Sequence, residues 1–190
     1  VMNFDARTWL KPGHQTNFEW DPDRYNNPES LMEELDELGF KSCFWENPYV
    51  SYKTELFQEG KDLGYFLTDE NGDVIKIKWI PEEYEDFPST EPSGIVDFTD
   101  PEAREWWKQQ HRALIEMGAD AFKTDFGDMV PKSARSHAGI TGEKLHNLYP
   151  LLFTDTVFEA LEEEGKEGVL WDRPGWTGIQ KYPIKWGGDP

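Results

Sequence analysis

The chain has 190 residues and a formal net charge of −19. That length allows one domain with a sizeable core, but it is short for an eight-stranded α/β barrel, which typically needs about 250 residues. So large a negative charge would repel phosphate backbones and anionic lipid surfaces, and no basic stripe offsets it. No apolar run approaches the roughly 20 residues of a membrane span. The composition therefore argues against nucleic-acid and membrane partners.

The first quarter of the chain has the pattern of a strand–helix–strand unit. A short apolar strand covers 1–4. After a loop, a helix is signalled by Asn27 as N-cap, Pro28 at the first helical position and Gly39 just past the end. A second apolar strand covers 41–45. We expect the helix to cover one face of a sheet that contains both strands.

The middle of the chain departs from this pattern. A helix over 54–63 is followed by a hairpin over 65–79, whose turn is signalled by Asn71-Gly72. The stretch 81–93 contains three prolines and has no hydrophobic periodicity. We expect the hairpin and loop around 65–95 to be an insertion within a single domain that spans 1–190.

The strand–helix pattern then resumes. Asp100 is predicted to cap a helix that Pro101 opens and Gly118 ends. Three further strands are expected, with a long helix between the first two, over 119–124, 169–171 and 183–186. About five parallel strands with helices between most of them form an α/β pattern.

Two carboxylates stand directly after predicted strands. Asp125 follows the strand that ends in Phe122-Lys123-Thr124, and Asp189 follows Trp186-Gly187-Gly188. Catalytic groups collect at the C-terminal ends of parallel strands. A pair of acids so placed suggests chemistry at a glycosidic bond. On spacing alone, a helix N-cap or a loop acid is the competing interpretation of Asp125.

The remaining polar residues predict no metal site and no cofactor. Cys43 is the one cysteine, which excludes an internal disulfide and a cysteine metal cluster, and we expect it to be buried in a strand. No Gly-rich loop fits phosphate binding, and no Gly-x-Ser-x-Gly elbow is present. The four histidines form no cluster and are expected on loops or helix surfaces: His14, His111, His137 and His146.

Several short motifs follow one another along the chain in a fixed order. They are Phe18-Glu19-Trp20-Asp21-Pro22, Trp45 with Asn47-Pro48-Tyr49, Asp97-Phe98-Thr99 before Asp100-Pro101, Phe122 to Gly127, Arg173, and Trp186-Gly187-Gly188-Asp189. Any one of them is weak evidence, but their combination is specific. Together they resemble the catalytic barrel of glycoside hydrolase family 31, the α-glucosidase and α-xylosidase family, and the similarity spans essentially all 190 residues.

The resemblance implies a (β/α)8 TIM-type barrel that is present only in part, from about its second to its sixth strand. It also implies a retaining α-glycoside hydrolase that needs no cofactor. Asp125 would be the nucleophile and Asp189 the general acid/base, two roles that require one ionised and one protonated carboxyl group. Substrate-binding roles would fall to Asp5, Trp45, Lys123, Arg173 and Trp186.

The sugar stays open between xylose and glucose. A lysine at position 123, two residues before Asp125, resembles the α-xylosidase branch of the family. The sequence of the stretch 176–183 instead resembles the glucosidase branch. The match at Asp5 is looser, because Asp5-Ala6-Arg7-Thr8-Trp9 has one more residue before the tryptophan than the family pattern. An α-glycoside or oligosaccharide is the expected substrate in either case.

A second function competes with hydrolysis. The chain would then be a catalytically incomplete barrel fragment that binds carbohydrate weakly through Trp45, Arg173 and Trp186. A barrel that lacks strands has two exposed sheet edges, so we expect it to associate with another copy or with the remainder of a larger chain. The sequence does not indicate the compartment, and a soluble cytoplasmic location is favoured.

Overall fold

The structure, a computed structural model, describes residues 1–78, 91–173 and 175–188. Asp189, the predicted general acid/base, lies outside the described residues, as does most of the loop predicted over 81–93. Within the described part of the chain, no helix is both long and apolar enough to cross a membrane.

The described ranges contain eight strands and five α-helices. The strands are β1 (Met2–Phe4), β2 (Ser42–Glu46), β3 (Tyr49–Ser51), β4 (Lys76–Ile77), β5 (Ser93–Ile95), β6 (Ala121–Thr124), β7 (Val169–Asp172) and β8 (Ile184–Lys185). The helices are α1 (Ala6–Trp9), α2 (Pro28–Glu37), α3 (Glu55–Leu63), α4 (Pro101–Met117) and α5 (Gly142–Glu163), with a short 3-10 helix over Ile179–Lys181.

Five of these strands form one sheet in the order β1-β2-β6-β7-β8. Each neighbouring pair is parallel, which confirms the predicted α/β pattern of about five parallel strands. Strands β1 and β8 each pair on one side only among the described residues, so the sheet does not close into a barrel there. Because the strands are parallel, their C-terminal ends lie along one edge.

Helices α2 and α4 begin at the capping residues that the sequence predicted. The Asn27 side chain accepts a hydrogen bond from the Ser30 N–H (3.1 Å) at the start of α2. The Asp100 carboxylate likewise accepts from the Glu102 N–H (2.9 Å) at the start of α4, and Gly118 ends that helix with a φ of 117°. These bonds satisfy backbone donors that a helix end leaves unpaired.

A small antiparallel sheet, in the order β3-β5-β4, lies beside the parallel one. The hairpin that leads into β4 turns at Asn71-Gly72 as predicted, with Gly72 at a φ of 85°. The Asp69 carboxylate closes the turn by accepting the N–H groups of Asn71 (2.8 Å) and Asp73 (3.0 Å). These backbone hydrogen bonds lower the pKa of Asp69 below its ordinary value.

Side chains alternate across the parallel sheet and divide it into two faces. Phe4, Phe44 and Phe122 are register partners on β1, β2 and β6, and all three are buried on the helix-covered face. The Phe4 and Phe44 rings stack at 4.8 Å, and the Phe44 and Phe122 rings lie 6.5 Å apart. The next residues along β2 and β6, Trp45 and Lys123, are also register partners and point to the opposite face. Strand periodicity therefore separates the core from the predicted site.

One histidine does not lie where the sequence predicted. His111 was expected on a loop or a helix surface, but it is fully buried in α4, with 0% of its surface exposed. The cause is its helical position, since Trp107 and Ile115 lie one turn before and after it and are buried on the same face. Cys43, by contrast, is buried in β2 as predicted.

The first residue of α5, Gly142, packs closely against the preceding loop, and this contact can be tested by substitution. A Cβ atom added at Gly142 would lie 1.9 Å from the Pro131 carbonyl oxygen, which belongs to the backbone and cannot rotate away. Although alanine is the better helix former by about 1 kcal/mol, we expect Gly142→Ala to lower the free energy of unfolding by about 1–3 kcal/mol. Urea denaturation measures the change. Lys144→Ala, an exposed position in the same turn, is the control and should change stability by less than about 0.5 kcal/mol. A stabilised Gly142→Ala protein would contradict the packing.

Candidate active site

Asp125 lies at the C-terminal end of β6 and is buried, with 5% of its surface exposed. Its N–H continues the parallel ladder by donating to the Glu46 carbonyl oxygen (3.0 Å). The carboxylate accepts from the Trp45 indole Nε1 (2.9 Å), the Phe126 N–H (2.8 Å) and the Arg173 Nε (2.5 Å). Three donors from three chain segments therefore converge on one buried carboxylate.

All three partners donate to the Asp125 oxygens, and the Arg173 guanidinium supplies a positive charge beside them. The guanidinium of Arg173 also reaches the exposed Asp128 carboxylate at 3.3 Å. Burial acts to lower the pKa of Arg173, but its bonds to Asp125 and Asp128 raise that pKa above the ordinary value. Arg173 is therefore a fixed cation between two acids.

The turn after Asp125 gives the carboxylate its orientation. Phe126 and Gly127 both have left-handed backbone conformations, with φ of 59° and 90°. The Tyr49 hydroxyl oxygen accepts from the N–H groups of Gly127 (2.9 Å) and Met129 (3.1 Å), which fixes the turn. The Phe126 ring lies 4.7 Å from the Arg173 guanidinium carbon. Strain at a non-glycine residue of this kind persists only where its surroundings hold it in place.

A second cluster lies around Lys123, two residues before Asp125 on the same strand. Its ammonium group pairs with the Asp5 carboxylate at 3.1 Å. The same group lies 5.0 Å from the Trp171 ring centre and 4.7 Å from that of Trp186. Aromatic faces attract a cation by electrostatics. The Asp5 side chain is 43% exposed, so it can still reach a ligand hydroxyl.

The structure brings most of the predicted site residues together. Alternation on β6 puts Lys123 and Asp125 on one face, and the same two-residue spacing holds for Trp171 and Arg173 at the end of β7. The predicted residues that meet at this edge of the sheet are Asp5, Trp45, Lys123, Asp125, Arg173 and Trp186. Asp189, the predicted general acid/base, lies outside the described residues.

Sequence interpretation missed three residues of the site. Asp128 and Phe126 stand inside the motif around Asp125, but their contacts with Arg173 depend on the turn. Trp171 stands two residues before Arg173, a spacing that places both on one face of a strand and was the available signal. Among residues 1–78, 91–173 and 175–188, no group of three or more His, Cys, Asp or Glu side chains is arranged to hold a metal ion.

Comparison with known proteins places this geometry in a family. Residues 1–190 match the model of the glycosyl hydrolases family 31 TIM-barrel domain. The chain is 36% identical to the α-xylosidase XylQ of Lactiplantibacillus pentosus, covering 91% of this chain and 22% of that protein. It is 35% identical to an α-xylosidase of Emericella nidulans, covering 100% and 23%.

A solved structure shows the same relationship. A family 31 sulfoquinovosidase from E. rectale, in complex with an aza-sugar inhibitor, superposes with a TM-score of 0.82 at 30% identity, covering 92% of this chain and 26% of that one. The chain thus spans about a quarter of the length of the relatives that it matches. On the family match and these identities, the chain belongs to glycoside hydrolase family 31, within its TIM-barrel domain.

Proposed function

We propose that the protein carrying this chain is a retaining α-glycosidase that releases a terminal α-linked sugar by double displacement. The observation that carries the proposal is the Asp125 carboxylate, which is buried and held by Trp45, Phe126 and Arg173. Residues 1–190 would act as one partial catalytic barrel domain, with the hairpin and loop around 65–95 as an insertion.

In the first step, an oxygen of Asp125 attacks the anomeric carbon. The new carboxylate–carbon bond forms as the glycosidic carbon–oxygen bond breaks, and the departing oxygen takes a proton from the general acid, for which we propose Asp189. In the second step, a water gives a proton to the same group and displaces Asp125. The donors on Asp125 support this role because they orient the carboxylate and place a positive charge beside it before substrate binds.

The Lys123 cluster supports binding of the sugar next to Asp125. The Asp5 carboxylate can accept hydrogen bonds from sugar hydroxyls, and Lys123 can donate to them. The Trp171 and Trp186 rings offer flat apolar surfaces for the C–H face of a sugar ring. The two relatives named as α-xylosidases favour an α-xyloside over an α-glucoside, and both belong in the assay.

The competing proposal is a fragment that binds sugar weakly without turnover. The observation that favours it is the open sheet, in which β1 and β8 each have one neighbour among the described residues. Light scattering and a hydrolysis assay on the same sample separate the two proposals. A monodisperse protein that turns over an aryl α-glycoside excludes the fragment proposal.

Replacing the nucleophile tests the mechanism directly. We expect Asp125→Ala to lower kcat/KM by roughly 10⁴-fold or more, because the covalent intermediate cannot form. Added azide should restore turnover of an activated aryl α-glycoside and give the β-glycosyl azide, since azide enters from the face that Asp125 occupied.

The matched control is Asp120→Ala, at the opposite end of the same strand. Asp120 accepts from the Ser42 N–H (3.0 Å) and pairs with Lys41, so its loss affects stability and should leave kcat/KM within about threefold. Full activity in the Asp125→Ala protein, or an α-azide product, would refute the proposed nucleophile.

Arg173→Lys separates the charge of the guanidinium from its geometry. Lysine keeps the positive charge but cannot bond Asp125 and Asp128 through a planar fork. Loss of one hydrogen bond to a charged group should lower kcat/KM by about 10–100-fold. Steady-state kinetics on an aryl α-xyloside and α-glucoside measure the change. Arg112→Lys, in a surface ion pair with Glu163, is the control. Unchanged kcat/KM in Arg173→Lys would show that the positive charge alone is sufficient.

A further inference from the structure

A buried acid–histidine pair lies on the other side of the sheet from the proposed nucleophile. Glu46 is the last residue of β2 and His111 lies on α4, and each has 0% of its surface exposed. The His111 Nε2 atom lies 2.8 Å from a Glu46 carboxyl oxygen, and Nδ1 lies 2.8 Å from the Trp107 carbonyl oxygen. Neither side chain belongs to the site described above.

The hydrogen-bond partners determine how many protons the pair holds. The Trp107 carbonyl can only accept, so Nδ1 of His111 carries a hydrogen. One further proton is then shared between Nε2 and the Glu46 carboxyl, and the pair is neutral overall whichever atom holds that proton. Burial raises the pKa of Glu46, against the opposing effects of the His111 ring and the Trp107 indole. Removing one partner would leave a polar group buried without its hydrogen bond, which is costly.

Aromatic rings enclose the pair on several sides. The centre of the His111 ring lies 4.7 Å from that of Phe122 and 4.9 Å from that of Phe18, and both contacts are edge-on. Phe18 also contacts Trp107 at 4.9 Å, and it reaches this position with a left-handed backbone, at a φ of 60°. The pair is therefore a rigid polar link between α4 and the end of β2.

The end of β2 makes two contacts with Asp125. The Glu46 carbonyl oxygen accepts the Asp125 N–H (3.0 Å), and the preceding residue, Trp45, donates its indole N–H to the carboxylate (2.9 Å). Adjacent residues of a strand point to opposite faces, so the Glu46 side chain is fixed to α4 while Trp45 faces the site. A displacement of this strand end would move both contacts.

We propose that Glu46 and His111 are positioning residues, whose hydrogen bond fixes the end of β2 and so keeps the Trp45 indole on Asp125. The proposal rests on the proposed function insofar as it concerns catalysis. A displacement of about 1 Å of a catalytic group from the reacting atoms can lower the rate by about 100-fold. The loss of this hydrogen bond should therefore reduce catalysis without removing any group that touches substrate.

Variants of Glu46 test the hydrogen bond. Glu46→Leu keeps the approximate volume but cannot bond His111, and we expect kcat/KM to fall by about 10–100-fold. Glu46→Gln keeps a neutral hydrogen-bonding partner for Nε2 and should stay within about threefold of wild type. Glu46→Asp is a variant with a shorter side chain, which can reach His111 only if the strand end moves, and it too should lose at least about tenfold. An unchanged kcat/KM in a folded Glu46→Leu or Glu46→Asp protein would overturn the proposal.

A double-mutant cycle with Trp45→Phe distinguishes positioning from general stability. If Glu46 acts through Trp45, Glu46→Leu should lower kcat/KM much less in the Trp45→Phe background than in wild type, while the urea midpoint falls by the same amount in both. Equal rate losses in both backgrounds would show a merely structural role and overturn the proposal.

A readout without substrate separates this proposal from the proposed function. The Trp45 indole proton, assigned in ¹H–¹⁵N spectra by its absence in Trp45→Phe, should exchange slowly with solvent in wild type and in Glu46→Gln and at least about tenfold faster in Glu46→Asp. Equal exchange in all three proteins overturns the positioning role, whether or not the protein hydrolyses glycosides. Absence of hydrolysis in wild type, with the expected exchange pattern, refutes only the proposed function.

Discussion

The burial of one charged carboxylate is the constraint on which the site depends. A carboxylate removed from water is costly unless donors replace its hydration. Asp125 obtains those donors from β2, from the end of β7 and from its own turn. Each segment supplies one of the three donors. The parallel alignment of three strand ends is therefore a condition for assembling these donors around Asp125 as well as a feature of the fold.

Backbone bonds extend that alignment past the ends of the strands. Asp125 donates to the Glu46 carbonyl oxygen, and Arg173 donates from its backbone to the Thr124 carbonyl oxygen (3.2 Å). Side-chain alternation then places Trp45, Asp125 and Arg173 on the same face. A slip of one residue in any of these strands would turn its functional side chain into the helix layer and its phenylalanine or leucine toward the site. The hydrophobic core on one face thus specifies the register on which the other face depends.

Much of this arrangement could be predicted from local sequence. The caps at Asn27 and Asp100 and the apolar strands before Asp125 and Arg173 act through nearest neighbours, so their signals stand in short stretches of sequence. The burial of His111 was missed because a helix face is decided by what packs against it. Its spacing from Trp107 and Ile115 gave a signal, but only the position of Glu46 explains a polar residue there. The contact of Trp171 with Lys123 likewise depends on strand register, which the sequence does not show.

The charge balance of the site differs from that of the whole chain. The net charge of the chain is −19, yet two cations described at the site are paired locally, Lys123 with Asp5 and Arg173 with Asp125 and Asp128. Three carboxylates against two cations leave a formal charge of −1 among these five groups. Pairing at about 3 Å acts more strongly than distant surface charges, which salt screens. Because Lys123 and Arg173 are already engaged, these five groups suit an uncharged sugar better than an anionic one, and this supports the proposal of a xyloside or glucoside as substrate.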